Sequence, residues 1–409
     1  MFYCRNCPKF ALMKKYSTLV IIVDPKRSID SIDALIGRRE ILSMSQNVDH
    51  VIILPMDGAD QRADGLPDNV SVCRPAKDLC GSFTLGRRLM TLFRPSMWRL
   101  AGGDLKRESV AFYVESFLIY SALKKWIVSE GIETNKTLVY CSWGSAWSLA
   151  VEMICNECGM DMICRADNPE LYVDGHRKAN QRVAERCEGI YTSSEDAKNW
   201  LQARYPEMES KFRVAVAGSS KQDRRALASS HKANERCLTF LSVARGSTFN
   251  DLDLKYRLMR ALAIARPGTR VRWIHVGDLD VSEVIDRSAS DRKPDNLEID
   301  LRISPLLDDI DSLFMTEAID WTLIPGREEV CPRLAYISMS YGVPVVATMV
   351  RGLEEVVTDD CGLLLADNTS PEEFVLGLLP CVESDLRMDA MRRSAFERWQ
   401  RHYDADRKI

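Results

Sequence analysis

A carboxylate, an arginine and a glycine turn, each just after an apolar run, are the residues of this chain best placed to do chemistry. Glu329 lies in PGREEVCP, between a strand-like and a helix-like stretch, where a carboxylate can accept hydrogen bonds from hydroxyl groups. Arg245 and Gly246 sit in VARGSTFND, and an arginine there offers a fixed fork of donors to an anion. Gly352, Leu353 and Glu355 close MVRGLEE, where a glycine lets a ligand come close to backbone amides. His275, one of five histidines, stands before Gly277 in WIHVGD; a hydrogen-bonded structural histidine is its other reading.

The elements that must position these residues alternate between strand and helix, which predicts α/β architecture with parallel sheets. Strands are predicted at 17–24, 48–56, 137–142, 160–165, 189–193 and 212–216, then at 238–244, 270–276, 297–303, 318–324 and 343–347. Ser194 is placed to cap a helix that carries Asp196 in its first turn. Residues 218–236 (GSSKQDRRALASSHKANER) are polar and nearly free of large apolar side chains, the composition of a linker or hinge. The predicted organisation is a Rossmann-like domain over 14–217, the linker 218–236, a second Rossmann-like domain over 237–383, and a last helix and tail over 384–409. Doubly wound sheets bind ligands beyond the C-terminal ends of their strands. The loops that matter are therefore 24–30, 142–145, 165–172, 245–250, 277–279, 325–332 and 349–355.

The stretch Gly326 to Glu355, GREEVCPRLAYISMSYGVPVVATMVRGLEE, resembles the donor-sugar site of retaining GT-B glycosyltransferases, the large "glycosyl transferases group 1" family. Glu329, Gly342-Val-Pro-Val-Val-Ala-Thr348, Gly352 and Glu355 carry the resemblance, which is strong over 318–375 and fades before 140. It implies a GT-B fold, two Rossmann-like doubly wound domains with an interdomain cleft. It implies a nucleotide-sugar donor, a saccharide or lipid-linked acceptor, and transfer with retention in cell-surface polysaccharide biosynthesis. No cofactor or metal is implied: the nucleotide-sugar is a substrate, and its leaving diphosphate assists the acceptor hydroxyl.

Residue by residue, the resemblance places Glu329, Arg245 and Asp167 at catalytic positions. Arg245, Gly246, Asn250, Gly277, Glu329, Gly352, Leu353 and Glu355 fall on the donor side. ICRADNPELY (163–172) is similar to a first-domain loop reading Arg-Ala-His-Gly-x-Asp-x-Tyr, which puts Arg165 and Tyr172 on the acceptor side with Trp143 of YCSW. Trp143 is read either as a platform for an acceptor sugar or as a core side chain. The chain departs from the family at five positions, among them Glu170, which replaces an aspartate. Asp167 replaces a histidine, Asn250 a phosphate-binding lysine (Lys255 is the nearest substitute), Ile337 a ribose-binding glutamate, and Arg351 a glycine. The competing reading is a catalytically degenerate GT-B protein that serves as a partner or binding subunit.

Composition narrows the classes. With 409 residues, 46% hydrophobic and 28% charged, the chain has the make-up of a globular protein of two domains. A net charge of −4 offers nucleic acid no electrostatic match. No apolar run reaches the ~18–20 residues that span a bilayer. The first residues, MFYCRNCPKFALMKKY, hold no signal-peptide core, so a cytoplasmic location is expected. Thirteen cysteines suit a reducing compartment; Cys4/Cys7 and Cys155/Cys158 form CxxC pairs without the second nearby pair of a zinc ribbon. Residues 83–103 carry Arg87, Arg88, Arg94 and Arg99 among apolar side chains and no acid. That stretch reads either as a contact with the inner face of an anionic membrane or as a basic loop beside the acceptor.

Overall fold

The computed structural model describes residues 13–23, 37–55, 65–74, 85–101, 106–167, 169–172, 175–216, 218–219, 237–244, 249–277, 293–302, 307–325 and 333–404. Arg245, Gly246, Glu329, the Cys4/Cys7 pair and nearly all of the predicted linker lie outside them. The chain divides into two compact units, with Ala34–Val216 in one and Ala217–Ile409 in the other.

The first unit is built on a seven-stranded sheet: β1 (Thr18–Val23), β2 (His50–Pro55), β3 (Val70–Val72), β4 (Thr137–Ser142), β5 (Asp161–Arg165), β6 (Gly189–Thr192) and β7 (Phe212–Val214). Their order is β3-β2-β1-β4-β5-β6-β7. Every pairing is parallel; β1 sits between β2 and β4, with Thr18 opposite both His50 and Thr137. The helices are α1 (Arg38–Ser45), α2 (Leu85–Leu92), α3 (Pro95–Ala101), α4 (Arg107–Ser129), α5 (Ala146–Cys158), α6 (Arg177–Arg186) and α7 (Glu195–Arg204). All six residues of β4 are buried, as expected of a strand covered on both faces.

Local chemistry starts and stops these helices. The Ser145 side chain accepts from the Ser148 amide at the head of α5, and Gly159 ends it in the left-handed region at φ 72°. Ser194 caps α7 in the same way, with Glu195 and Asp196 in the first turn where the helix dipole favours negative charge.

The second unit repeats the plan in six strands, again all parallel: β8 (Cys237–Ala244), β9 (Arg270–Gly277), β10 (Leu297–Arg302), β11 (Trp321–Ile324), β12 (Val345–Thr348) and β13 (Gly362–Leu365). Their order is β10-β9-β8-β11-β12-β13. Its helices are α8 (Phe249–Ala265), α9 (Leu307–Thr316), α10 (Arg333–Ser340), α11 (Pro371–Val382) and α12 (Asp385–His402). Successive residues of β8 face opposite ways. Phe240 enters a core with Tyr256, Trp273, Trp321 and Phe374. Leu241 enters another with Ile274, Ile310, Phe314 and Ile337. The edge strand β10 is polar, and Arg272 joins it to the residue after α9 by hydrogen bonds to Asp300 and Glu317, both 2.7 Å.

Sequence did not predict β3 and β13, which are short and lie at sheet edges. At β13 the fit is tight. Gly362 pairs with Val345, and a Cβ there would overlap the Val345 carbonyl and the Val357 Cγ1. Gly362→Ala is expected to cost about 1–3 kcal/mol, the usual range for overpacking, read as a lower urea midpoint.

Candidate functional site

Strand order reverses direction between β1 and β4 in the first unit and between β8 and β11 in the second. Crevices form at such points. The described residues there are Trp143, Gly144 and Ser145 after β4, and Pro325 after β11. One strand further on, the loop after β12 is described in full.

That loop, 349–357, carries Gly352, Leu353 and Glu355. Gly352 adopts φ 88°, a region that favours glycine, so the turn explains the residue. Leu353 is fully buried and anchors the loop from beneath, while Arg351 is exposed. The far side is held by α12. Arg398 donates from Nε to the Val356 carbonyl at 2.7 Å and from Nη2 to the Glu355 carbonyl at 2.9 Å. Tyr403 adds its hydroxyl to the Glu355 carbonyl at 3.0 Å. Burial pushes the Tyr403 phenol up to about 12, so it remains a donor at neutral pH.

The same helix is tied back to the start of the unit. Trp399 Nε1 donates to Ser219 Oγ at 2.7 Å, and Ser219 donates to the Tyr336 carbonyl at 3.1 Å. Tyr336 in turn stacks on Tyr403 with ring centroids 4.6 Å apart. Nothing local in sequence announces Arg398, Tyr403 or Ser219 as supports of this loop, because their partners lie 43, 48 and 117 residues away.

Gly277 ends β9 opposite Ala244. His275 is buried two residues earlier, its Nδ1 2.7 Å from Ser242 Oγ, which accepts from Trp273 Nε1 at 2.8 Å. Ser242 Oγ thus joins the indole of Trp273 to the imidazole of His275 inside the sheet. Ile337 is 4% exposed and lies in the core with Leu241, Ile310 and Phe314. Asn250 falls in the first turn of α8, and Lys255, on the same helix, is buried.

The acceptor-side residues turn out to be internally engaged. Arg165 is fully buried: its Nε donates to Asp167, its Nη1 to the Ala215 carbonyl at 2.8 Å and its Nη2 to Ser193 Oγ at 2.5 Å. Asp167 also accepts from the Ser193 amide at 2.6 Å and hydroxyl at 2.7 Å. An ion pair this enclosed persists only with its remaining hydrogen bonds satisfied, as they are here. Both residues had been expected against substrate; as placed, they clamp the ends of β5, β6 and β7 together. Tyr172 donates to Asp196 at 2.8 Å and meets Trp200 edge to face. Trp143 is 2% exposed and packs on Tyr205, so of its two readings the structure takes the core one.

The buried thiols are also structural. Cys164 lies 3.6 Å from Cys141 and 3.4 Å from Cys187, sulfur to sulfur. Desolvation holds the thiols of Cys164 and Cys155 well above the ordinary range, in the unreactive protonated form. Cys155 is buried on α5 and Cys158 half-exposed; among the described residues no cluster of side chains suits a metal ion. Among them, too, no helix is long and apolar enough to cross a membrane.

No family model matches the chain. Over 112 residues it is 31% identical to a glycogen synthase of Thermus thermophilus, a match covering 27% of this chain and 24% of that one. The matched segment is thus about a quarter of that relative's length. Likeness of fold extends much further. The sucrose-phosphate synthase from Thermosynechococcus elongatus superposes with a TM-score of 0.63 at 13% identity, over 96% of each chain. HepE from Anabaena, crystallised with UDP, gives 0.60 at 13% identity over 96% of this chain and 97% of its own. The N-terminal domain of a Candida albicans trehalose-6-phosphate phosphatase gives 0.63 at 11% identity, over 96% and 94%. The fold is an α/β GT-B fold with two units.

The Arg165 clamp gives a direct test. Asp167→Ala would leave the buried guanidinium without its counter-charge, and a loss of about 3–5 kcal/mol is expected in urea unfolding. Arg165→Met combined with Asp167→Leu removes both charges and is expected to be much milder than the single change.

Proposed function

We propose that the chain is a glycosyltransferase that moves a sugar from a nucleotide-sugar donor to a saccharide or lipid-linked acceptor with retention. Cell-surface polysaccharide biosynthesis, on the cytoplasmic side, is the setting this reading assigns to it. The observation that carries it is the loop after β12, which brings the Gly342–Glu355 resemblance to a strand end, with Gly352 in the left-handed turn such a loop needs. A relative in fold, HepE, holds UDP in its crystal structure, which makes uridine diphosphate sugars the first donors to try.

In this reaction the acceptor oxygen bonds to the anomeric carbon as the bond from that carbon to the diphosphate breaks. The electron pair leaves on the diphosphate, which also receives the acceptor's proton. Negative charge grows on the leaving group, and Arg245 with the amides near Gly352 would oppose it. Glu329 would hold sugar hydroxyls, with Gly246, Asn250, Gly277, Leu353 and Glu355 shaping the donor side. Arg165 and Asp167 would act by positioning the loop that carries Tyr172 rather than by touching the acceptor.

One observation favours the second reading, a catalytically degenerate partner or binding subunit. Ile337 is packed in the core and has no polar atom to offer a ribose. A charge-assisted hydrogen bond contributes about 1.5–3 kcal/mol, so weaker donor binding than in its resembled relatives is expected.

Titration calorimetry with UDP-, GDP- and ADP-sugars separates the two readings. An enzyme should bind one of them and release its sugar to an acceptor. Asn250→Lys should then tighten the donor by about tenfold, the equivalent of about 1.4 kcal/mol. Arg245→Ala and Glu329→Ala should abolish transfer while leaving the melting temperature in place. Failure of the whole panel to bind or turn over would sink the enzymatic reading and leave the degenerate one.

A further inference from the structure

We propose that α2 and α3 form a docking face for an anionic lipid bilayer, a role that does not depend on the transfer reaction. A helix on a globular protein normally turns its apolar stripe inward. Helix α2 leaves large apolar side chains outside. Leu89, Met90 and Phe93 are 49%, 69% and 84% exposed, while Thr91 is 4% exposed. At about 100° per residue Leu89 and Met90, continued by Phe93 just past the helix end, share one side and Thr91 stands opposite. Thr91 returns its hydroxyl to the Arg87 carbonyl at 2.9 Å.

Helix α3 completes the face. Trp98 is 37% exposed, and its Nε1 donates to the Leu92 carbonyl at 2.6 Å, which fixes its indole against the end of α2. Indole side chains of this amphipathic kind favour the headgroup level of a bilayer. Arg87, Arg88, Arg94 and Arg99 are all exposed around these apolar groups, and no acidic residue occurs between 85 and 101. An open cavity of about 990 Å³ adjoins the face and extends its chemistry with Arg94, Lys124, Lys125 and Val128, the last 78% exposed. Lys124 there is engaged with Glu157.

Apolar side chains ringed by arginines match the two parts of an anionic membrane surface, acyl boundary and phosphate layer. A second copy of the same face would set arginines against arginines, which like-charge repulsion opposes. A basic cavity wall alone would account for the arginines but leave the outward-facing Phe93 and Met90 unexplained.

Flotation of the full chain with phosphatidylcholine vesicles, with and without phosphatidylglycerol, tests the proposal. The protein should float with the anionic vesicles and not with the neutral ones, and less so at high salt. Arg88→Gln should lower partitioning about fivefold, the effect of about 1 kcal/mol per basic residue near such a surface. Met90→Ser with Phe93→Ser should lower it more than about tenfold, since two large side chains lose their apolar seat. These positions are exposed, so the melting temperature should not move. The proposal is overturned if anionic vesicles are ignored, or if the double variant floats as well as the native chain. It is equally overturned if sedimentation shows a dimer that the double variant abolishes while vesicles are not bound.

Discussion

A strand that runs parallel to its neighbour cannot return by a tight turn; the chain must cross the sheet and come back. Every described strand pairing in both units is parallel, so within each sheet the strands all end on the same side. That constraint explains the two cores of the second unit, where Phe240 and Leu241 face opposite ways from β8. It also gathers the loops that carry Gly277 and Gly352 at one end of the second sheet.

Polar residues at those strand ends divide by what their atoms already hold. Arg165, Asp167 and Ser193 form a closed set of hydrogen bonds between β5, β6 and β7, and little of the set reaches solvent. Ser242 and His275 link β8 to β9 in the same manner. Residues of this kind give a strand end its shape. The loop that bears Gly352 and Glu355 is gripped through its backbone carbonyls, at Glu355 and Val356.

Much of the fold was legible because long apolar runs between turn residues announce buried strands. Thr137–Ser142 was found to the residue, and Ser194 was found as a cap because the serine and the acids after it are local signals. Three residues of Val70–Val72 and four of Gly362–Leu365 are too few to show a period, so both edge strands escaped. The site was less legible. Trp143 and Arg165 lie at strand ends, yet what buries them comes from Tyr205, Ser193 and Ala215, far along the chain. Ile337 was singled out by comparison with the resembled family's motif; the structure places it in the core with Leu241, Ile310 and Phe314.

Order in the loop after β12 is supplied by the chain itself. Fixing the backbone of one residue costs about 1–2 kcal/mol of conformational entropy. Arg398 and Tyr403 already hold Glu355 and Val356, and Leu353 is already seated in the core. A molecule that lands on the amides near Gly352 therefore meets a rigid surface, and the free energy of contact appears as affinity instead of being consumed in ordering the chain. By the same linkage, a change in α12 would be felt in that loop, although no atom of the helix need touch a ligand there.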